Sequence, residues 1–210
     1  MLAIFKREFK SYFQNVIGWL FVAALLAVYG LYFYVYNLKN GYPYISYDLK
    51  GIGFIMMIAV PILTMRSLSD EKKTKTDQLM LTSPVSVGKI VAGKYFAMAA
   101  VYTIDIAFFA LSPLVLSIYG KVALSEAYVA LFGYWLYGLS CIAVGLFISS
   151  ISESVIISAI LTFAALFLSY MMQSITGLIS SSGNLLTKVL NCFDLYTPFE
   201  NFVSGCFSVT

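Results

Sequence analysis

The chain has 210 residues, 60% of them hydrophobic and 11% charged, with a net charge of +3, whereas about a quarter of an ordinary soluble domain is charged. A soluble fold of this size keeps too much surface in water to hide that much apolar area, which excludes a soluble enzyme, a nucleic-acid binder and a disordered chain and leaves an integral membrane protein. Histidine is absent, so Ser-His nucleophiles and His-ligated metals are excluded as well.

Residues 1–15 read as an amphipathic interfacial helix, with a simple inward extension of the first span as the alternative. Leu2, Ile4, Phe5, Phe9, Tyr12 and Phe13 recur near helical spacing with Lys6, Arg7, Glu8, Lys10 and Gln14 between them, a pattern suited to lying in a membrane interface. The charge-free run that follows exceeds the length of a leader's apolar core, so a retained span is expected over Val16–Tyr36. Tyr29, Tyr32, Tyr34, Tyr36, Tyr42, Tyr44 and Tyr47 crowd its far end and the loop beyond, as an interfacial anchoring belt or, in the alternative, a substrate exit surface. A second span is expected over Gly51–Met65, with Pro61 near its end and Arg66 just beyond, and a third between Lys94 and Lys121.

Asp105 interrupts that third run about 16 Å along the helix from Lys94 at 1.5 Å per residue, near the bilayer centre. A carboxylate there is expensive and points to a substrate or ion path, or to pairing across a dimer; a hydrogen-bonded structural Asp facing Tyr102 or Ser112 stays open beside it. The fourth span is expected over Ala127–Ser152, with small residues from Gly133 to Gly145 that allow close helix contact, and the fifth over about Ser154–Thr176. Cys192 and Cys206 fall beyond it, and both a disulfide and two free thiols stay open. Five spans make an all-α, polytopic helical bundle.

Nine of the thirteen Lys and Arg residues lie in the N-terminal segment and in residues 66–94. The positive-inside bias therefore places both in the cytoplasm, with the turn 149–154, and places 177–210 outside. The loop 66–89 is the long polar stretch of the chain. Ser69 or Asp70 is expected to cap a short helix there, and Asp77–Leu81 reads as a second turn stopped by Ser83-Pro84. A docking element for a soluble partner and a solvated, topology-setting loop are equally consistent with its composition. Gly88-Lys89-Ile90 lacks the upstream glycine and the following hydroxyl of a phosphate-binding loop.

Pro61-Ile-Leu-Thr-Met-Arg-Ser-Leu-Ser-Asp-Glu-Lys-Lys-Thr-Lys-Thr-Asp-Gln-Leu-Met-Leu-Thr-Ser-Pro-Val-Ser resembles the signature of ABC-2 type transporter permeases, roughly P-x-L-T-M-R-x-x-x-E-E-x-x-x-G-T-x-E-L-x-x-x-x-P-V. In style it is similar to the gliding-motility and nitrous-oxide-reductase-maturation permeases. Asp70 and Glu71 fall at the acidic pair, Thr76 at the threonine and Pro84-Val85 at the end, while Lys75 stands where glycine is usual and Gln78 where glutamate is usual. The N-terminal helix, the order of spans and Pro198-Phe199-Glu200-Asn201-Phe202 also resemble the family, so that the resemblance covers essentially the whole chain.

The resemblance implies a permease subunit in a bacterial plasma membrane, acting as a homodimer or heterodimer for export, in contact with membrane lipid and with no nucleic acid. It implies ABC ATPase subunits on the cytoplasmic side that carry ATP and magnesium, and therefore no enzyme activity or cofactor in this chain. Residues 66–89 become a coupling loop whose partner interface is Asp70, Glu71, Lys72, Lys73, Thr76, Leu79, Leu81, Thr82, Ser83, Pro84 and Val85. Residues 177–206 become an outer re-entrant segment. A sixth span, usual in the family, is expected and does not occur within these 210 residues. A membrane anchor or assembly subunit that transports nothing is the competing reading; an ion-coupled carrier using Asp105 would call for an internal repeat, and none is evident.

Overall fold

The structure is a computed structural model that describes residues 2–76, 86–119, 122–179 and 194–203. Among them the chain is helical throughout: α1 (Leu2–Gln14), α2 (Val16–Phe33), a π-helical turn (Tyr34–Lys39), α3 (Ser46–Thr64), α4 (Ser69–Lys73), α5 (Val87–Phe109), α6 (Ser112–Tyr119), α7 (Leu124–Ile151), α8 (Val155–Ile179) and α9 (Tyr196–Val203). Five segments are long and apolar enough to cross a membrane: Val16–Lys39, Ser46–Lys73, Val87–Ile118, Leu124–Ile151 and Val155–Met172. The expected all-α, polytopic bundle is what folds.

α3 is its hub, packed on α2, α7 and α8. Leu49, Ile52, Met56, Val60 and Leu63 recur every three or four residues and are fully buried, the spacing that puts them on one helical face. Lipid tails are as apolar as these side chains, so close packing and interhelical hydrogen bonds hold the helices together rather than escape from water. Gly138 on α7 leaves no room for a Cβ against the Tyr102 ring of α5, and Gly145 none against Thr64 of α3. Tyr102 donates to the Tyr134 carbonyl at 2.7 Å, Tyr95 to that of Leu139 at 3.2 Å, and Trp135 Nε1 to Thr103 Oγ1 at 3.1 Å. On α8, Ser158, Thr162, Leu166 and Ser169 form the inward stripe.

The ends of the spans depart from the sequence-based expectation wherever a charge is buried. α3 begins at Ser46 rather than Gly51, because Asp48 turns inward and accepts a hydrogen bond from Asn37 Nδ2. The π-helical turn, with its wider winding, carries Asn37 into the interior. Lys50, also inside α3, pairs with Glu200 of α9 at 3.3 Å. α5 begins at Val87, seven residues before Lys94, so Lys94 is a buried helical residue and not the loop lysine expected. α5 and α6 are separate because Pro113 has no N–H to continue the ladder to the Phe109 carbonyl, which accepts instead from Ser112 Oγ at 2.7 Å.

α9 is started by Asp194, whose Oδ1 accepts from the backbone of Tyr196 at 3.1 Å and Thr197 at 2.9 Å. It packs well inside the bundle: Phe199 lies against Tyr134 and Tyr137 of α7, with ring centroids 5.6 and 5.2 Å apart, and Tyr196 lies 4.7 Å from Tyr170 of α8. Cys141 is buried and free, whereas Cys192 and Cys206 lie outside the described residues.

Candidate functional site

The basic end of the bundle gathers α1, α4, the start of α5 and the end of α7. α4 is only five residues long, too short to be stable alone, so its termini need partners. The expectation that Ser69 or Asp70 would cap it is corrected. Leu68 is the capping residue and makes no side-chain cap bond. The acceptor comes instead from Ser149 on α7, whose Oγ receives the backbone N–H groups of Leu68 and Ser69, both at 3.2 Å. Ser69 Oγ lies 2.9 Å from Ser149 Oγ, and Lys72 Nζ donates to the Ser150 carbonyl.

At the other end Lys75 has φ of +56°. Its N–H donates to the Lys72 carbonyl at 3.1 Å and that of Thr76 to the Glu71 carbonyl at 3.0 Å. This double bond pattern closes a helix through a left-handed residue, a position usually held by glycine. The family glycine that Lys75 replaces is thus explained by local geometry.

Behind α4 stands an ionic cluster. Lys94 is 1% exposed; its Nζ donates to Glu71 Oε1 at 2.7 Å and to the Ser67 carbonyl at 2.7 Å, and Glu8 Oε1 lies 3.5 Å away. Arg7 donates to Glu8 at 2.8 Å and lies 3.8 Å from Glu71. Two cations therefore face two carboxylates, the condition under which buried charge is tolerated. Tyr12 of α1 donates to the Leu63 carbonyl at 3.4 Å. Burial, with Glu8 and Glu71 adding negative charge, pushes its hydroxyl above the usual tyrosine value, so it stays a neutral donor. The cluster ties α1 to α4 and both to the third span.

Of the anticipated partner-facing residues, Glu71 and Lys72 are engaged within the chain, Asp70 lies 3.8 Å from Arg66 with both about half exposed, and Lys73 and Thr76 face solvent. Leu79, Leu81, Thr82, Ser83, Pro84 and Val85 lie outside the described residues. Sequence reasoning missed Lys94, Glu8 and Ser149. A lysine among Ile90, Val91 and Ala97 was the available signal, because an ionisable residue inside a span by default has a partner.

Asp105 is fully buried near Tyr102 and Tyr134, and neither of its oxygens nor the Tyr134 hydroxyl has a hydrogen-bond partner among the described residues. The apolar groove of about 550 Å³ beside its helix is lined by Tyr95, Ala99, Thr103, Ala107 and Trp135, the opposite face of α5. Ser112, the alternative neighbour, bonds Tyr29 instead. No group of three metal-ligating side chains occurs among the described residues.

Residues 31–207 match the family described as ABC-2 family transporter protein. Comparison with curated proteins and with solved structures gives no match.

Proposed function

The chain belongs to the ABC-2 family of transporter proteins and is a transmembrane permease of an ABC transporter, and we propose that two such chains, alike or related, form an export pathway driven by separate ATPase subunits. The ATPases would bind ATP and Mg²⁺ and dock on α4 and residues 77–85, with Leu79 and Leu81 as apolar anchors and Asp70, Lys73 and Thr76 at the rim. The observation that carries the reading is Lys94: it holds Glu71 of α4 and Glu8 of α1 at one point on the third span. A push on α4 then moves two further elements with it, and so biases a two-state membrane dimer.

In this arrangement α1 and α4 lie on the cytoplasmic side of a bacterial plasma membrane, as the lysine and arginine bias supports, and α1 rests in the interface. α9 belongs to an outer re-entrant segment, a reading supported by the seating of Phe199 against Tyr134 and Tyr137; residues 180–193 and 204–206 of that segment lie outside the described residues. Asp105 serves the pathway, supported by its buried, unpartnered carboxyl.

The test is purification of the tagged full chain in mild detergent with partner identification and an ATPase assay. A co-purifying ATPase that is lost in Leu79→Asp and Leu81→Asp, with membrane insertion intact, is the expected result. A clean preparation without ATPase, or coupling unchanged in Leu81→Asp, would overturn it in favour of a non-transporting anchor.

A further inference from the structure

Beside the ionic cluster a polar cavity of about 290 Å³ opens between α1 and the end of α3, lined by Glu8, Ser11, Asn15, Arg66, Ser67 and Asp70. Its depth in the membrane follows from its walls. α2 begins at Val16 and α3 ends at Thr64, so the cavity sits where two spans leave the hydrocarbon, at the level of the headgroups. Trp19 marks the same level: its ring is 60% exposed and its Nε1 donates to the Phe13 carbonyl at 2.9 Å, the posture of an interfacial anchor. Just inside, Val16 and Leu20 are exposed apolar side chains at 77% and 52%.

The lining is neither basic nor acidic but mixed. Arg66 and Asp70 lie 3.8 Å apart, too far for a hydrogen bond. Their charges attract without consuming the donors of one or the acceptors of the other. Asn15 donates from Nδ2 to Ser11 Oγ at 3.3 Å, and its amide oxygen can accept from a further donor. A guanidinium beside a carboxylate and neutral acceptors matches a ligand with a phosphate at one end and a primary ammonium at the other.

We propose that this cavity binds the headgroup of a zwitterionic phospholipid carrying a primary amine, a phosphoethanolamine type. The phosphate sits on Arg66, the ammonium on Asp70 with Ser11 and Asn15 as further acceptors, and the acyl chains lie along Val16, Trp19 and Leu20. A choline headgroup is bulkier by three methyl groups and has no N–H to donate, and a glycerol headgroup has no cation. The bound lipid would brace the bend between α1 and α2 next to Glu8, and so act on the element that Lys94 ties to α4.

The test uses the full chain in nanodiscs of phosphatidylglycerol mixed with phosphatidylethanolamine or with phosphatidylcholine, counting lipids retained per chain by native mass spectrometry after mild delipidation. Wild type is expected to retain the ethanolamine lipid over the choline lipid by about tenfold, the factor of one charge-assisted hydrogen bond. Asp70→Asn should erase the preference, Arg66→Gln should lower retention of both lipids, and Lys73→Gln, outside the cavity, should change neither. Equal retention of the two lipids by wild type, or a preference that survives Asp70→Asn, overturns the proposal. The readout involves no ATPase, so its failure is distinct from failure of the coupling reading.

Discussion

The basic end and the middle of the bundle both bury charged or polar groups, but they treat them in opposite ways. At the basic end every buried charge has a partner: Lys94 meets Glu71, Glu8 and a carbonyl, and Ser149 takes two backbone donors that α4 cannot satisfy itself. Away from it, both oxygens of Asp105 and the Tyr134 hydroxyl in the middle, and one oxygen each of Asn37 and Asp48 at the opposite end, are buried without a hydrogen-bond partner among the described residues; at the basic end the neutral Ser67 hydroxyl shares that condition. A closed ionic set resists change because breaking any one contact strands the others. Unspent acceptors can gain partners only if the surroundings move or hydrate. In the proposed coupling the first region would transmit a displacement as a unit, and the second would be altered by one.

The sharpest way to break this comparison is Lys94→Met. It leaves Glu71 and Glu8 with only the exposed Arg7 between them, and a stability loss of up to about 3–5 kcal/mol is expected, the range for breaking a buried ion pair from one side. The double variant Lys94→Met with Glu71→Gln should regain much of it in the same detergent melt; no recovery would mean that the lysine packs rather than bridges. Ser149→Ala comes next. It strands two backbone donors at the start of α4 and should cost about 1–3 kcal/mol, seen as faster amide exchange at residues 68–73 with α7 protected as before.

Lys75→Gly acts in the other direction. Relief of a left-handed lysine should stabilise the segment by about 1 kcal/mol, with slower exchange at Thr76 as the check. The smallest effect belongs to the middle of the bundle: Asp105→Leu should be neutral or stabilising by up to about 1 kcal/mol, while transport-linked ATPase falls. A loss of several kcal/mol there would show that Asp105 has a structural partner and would remove the contrast between the two regions.

Much of the fold was legible before any coordinates. Charge-free runs longer than a bilayer crossing gave five spans, because charge and hydrocarbon exclude each other strongly enough to show in composition. That same rule misplaced the ends of α3 and α5. It treats Asp48 and Lys94 as boundary markers, and it fails where a span buries a charge beside a partner from another helix. The segment that resembles the family signature was recognisable from its residues, and its departure at Lys75 marked the one left-handed non-glycine residue among those described. Ser149 and Glu8 gave no sign, since a serine near the end of a span and a glutamate on an amphipathic helix have ordinary surface explanations.

What the sequence determined by itself is therefore what depends on the solvent each residue prefers: membrane residence, the number of helices long and apolar enough to span and the polar face of α1. What only the tertiary structure decided is which polar groups meet. Glu8, Glu71 and Lys94 come from three separate elements, and Arg66, beyond α3, meets Ser11 and Asn15 at the end of α1. Hydropathy acts on each residue singly, whereas an ion pair or a headgroup site exists only once separate helices have been packed side by side.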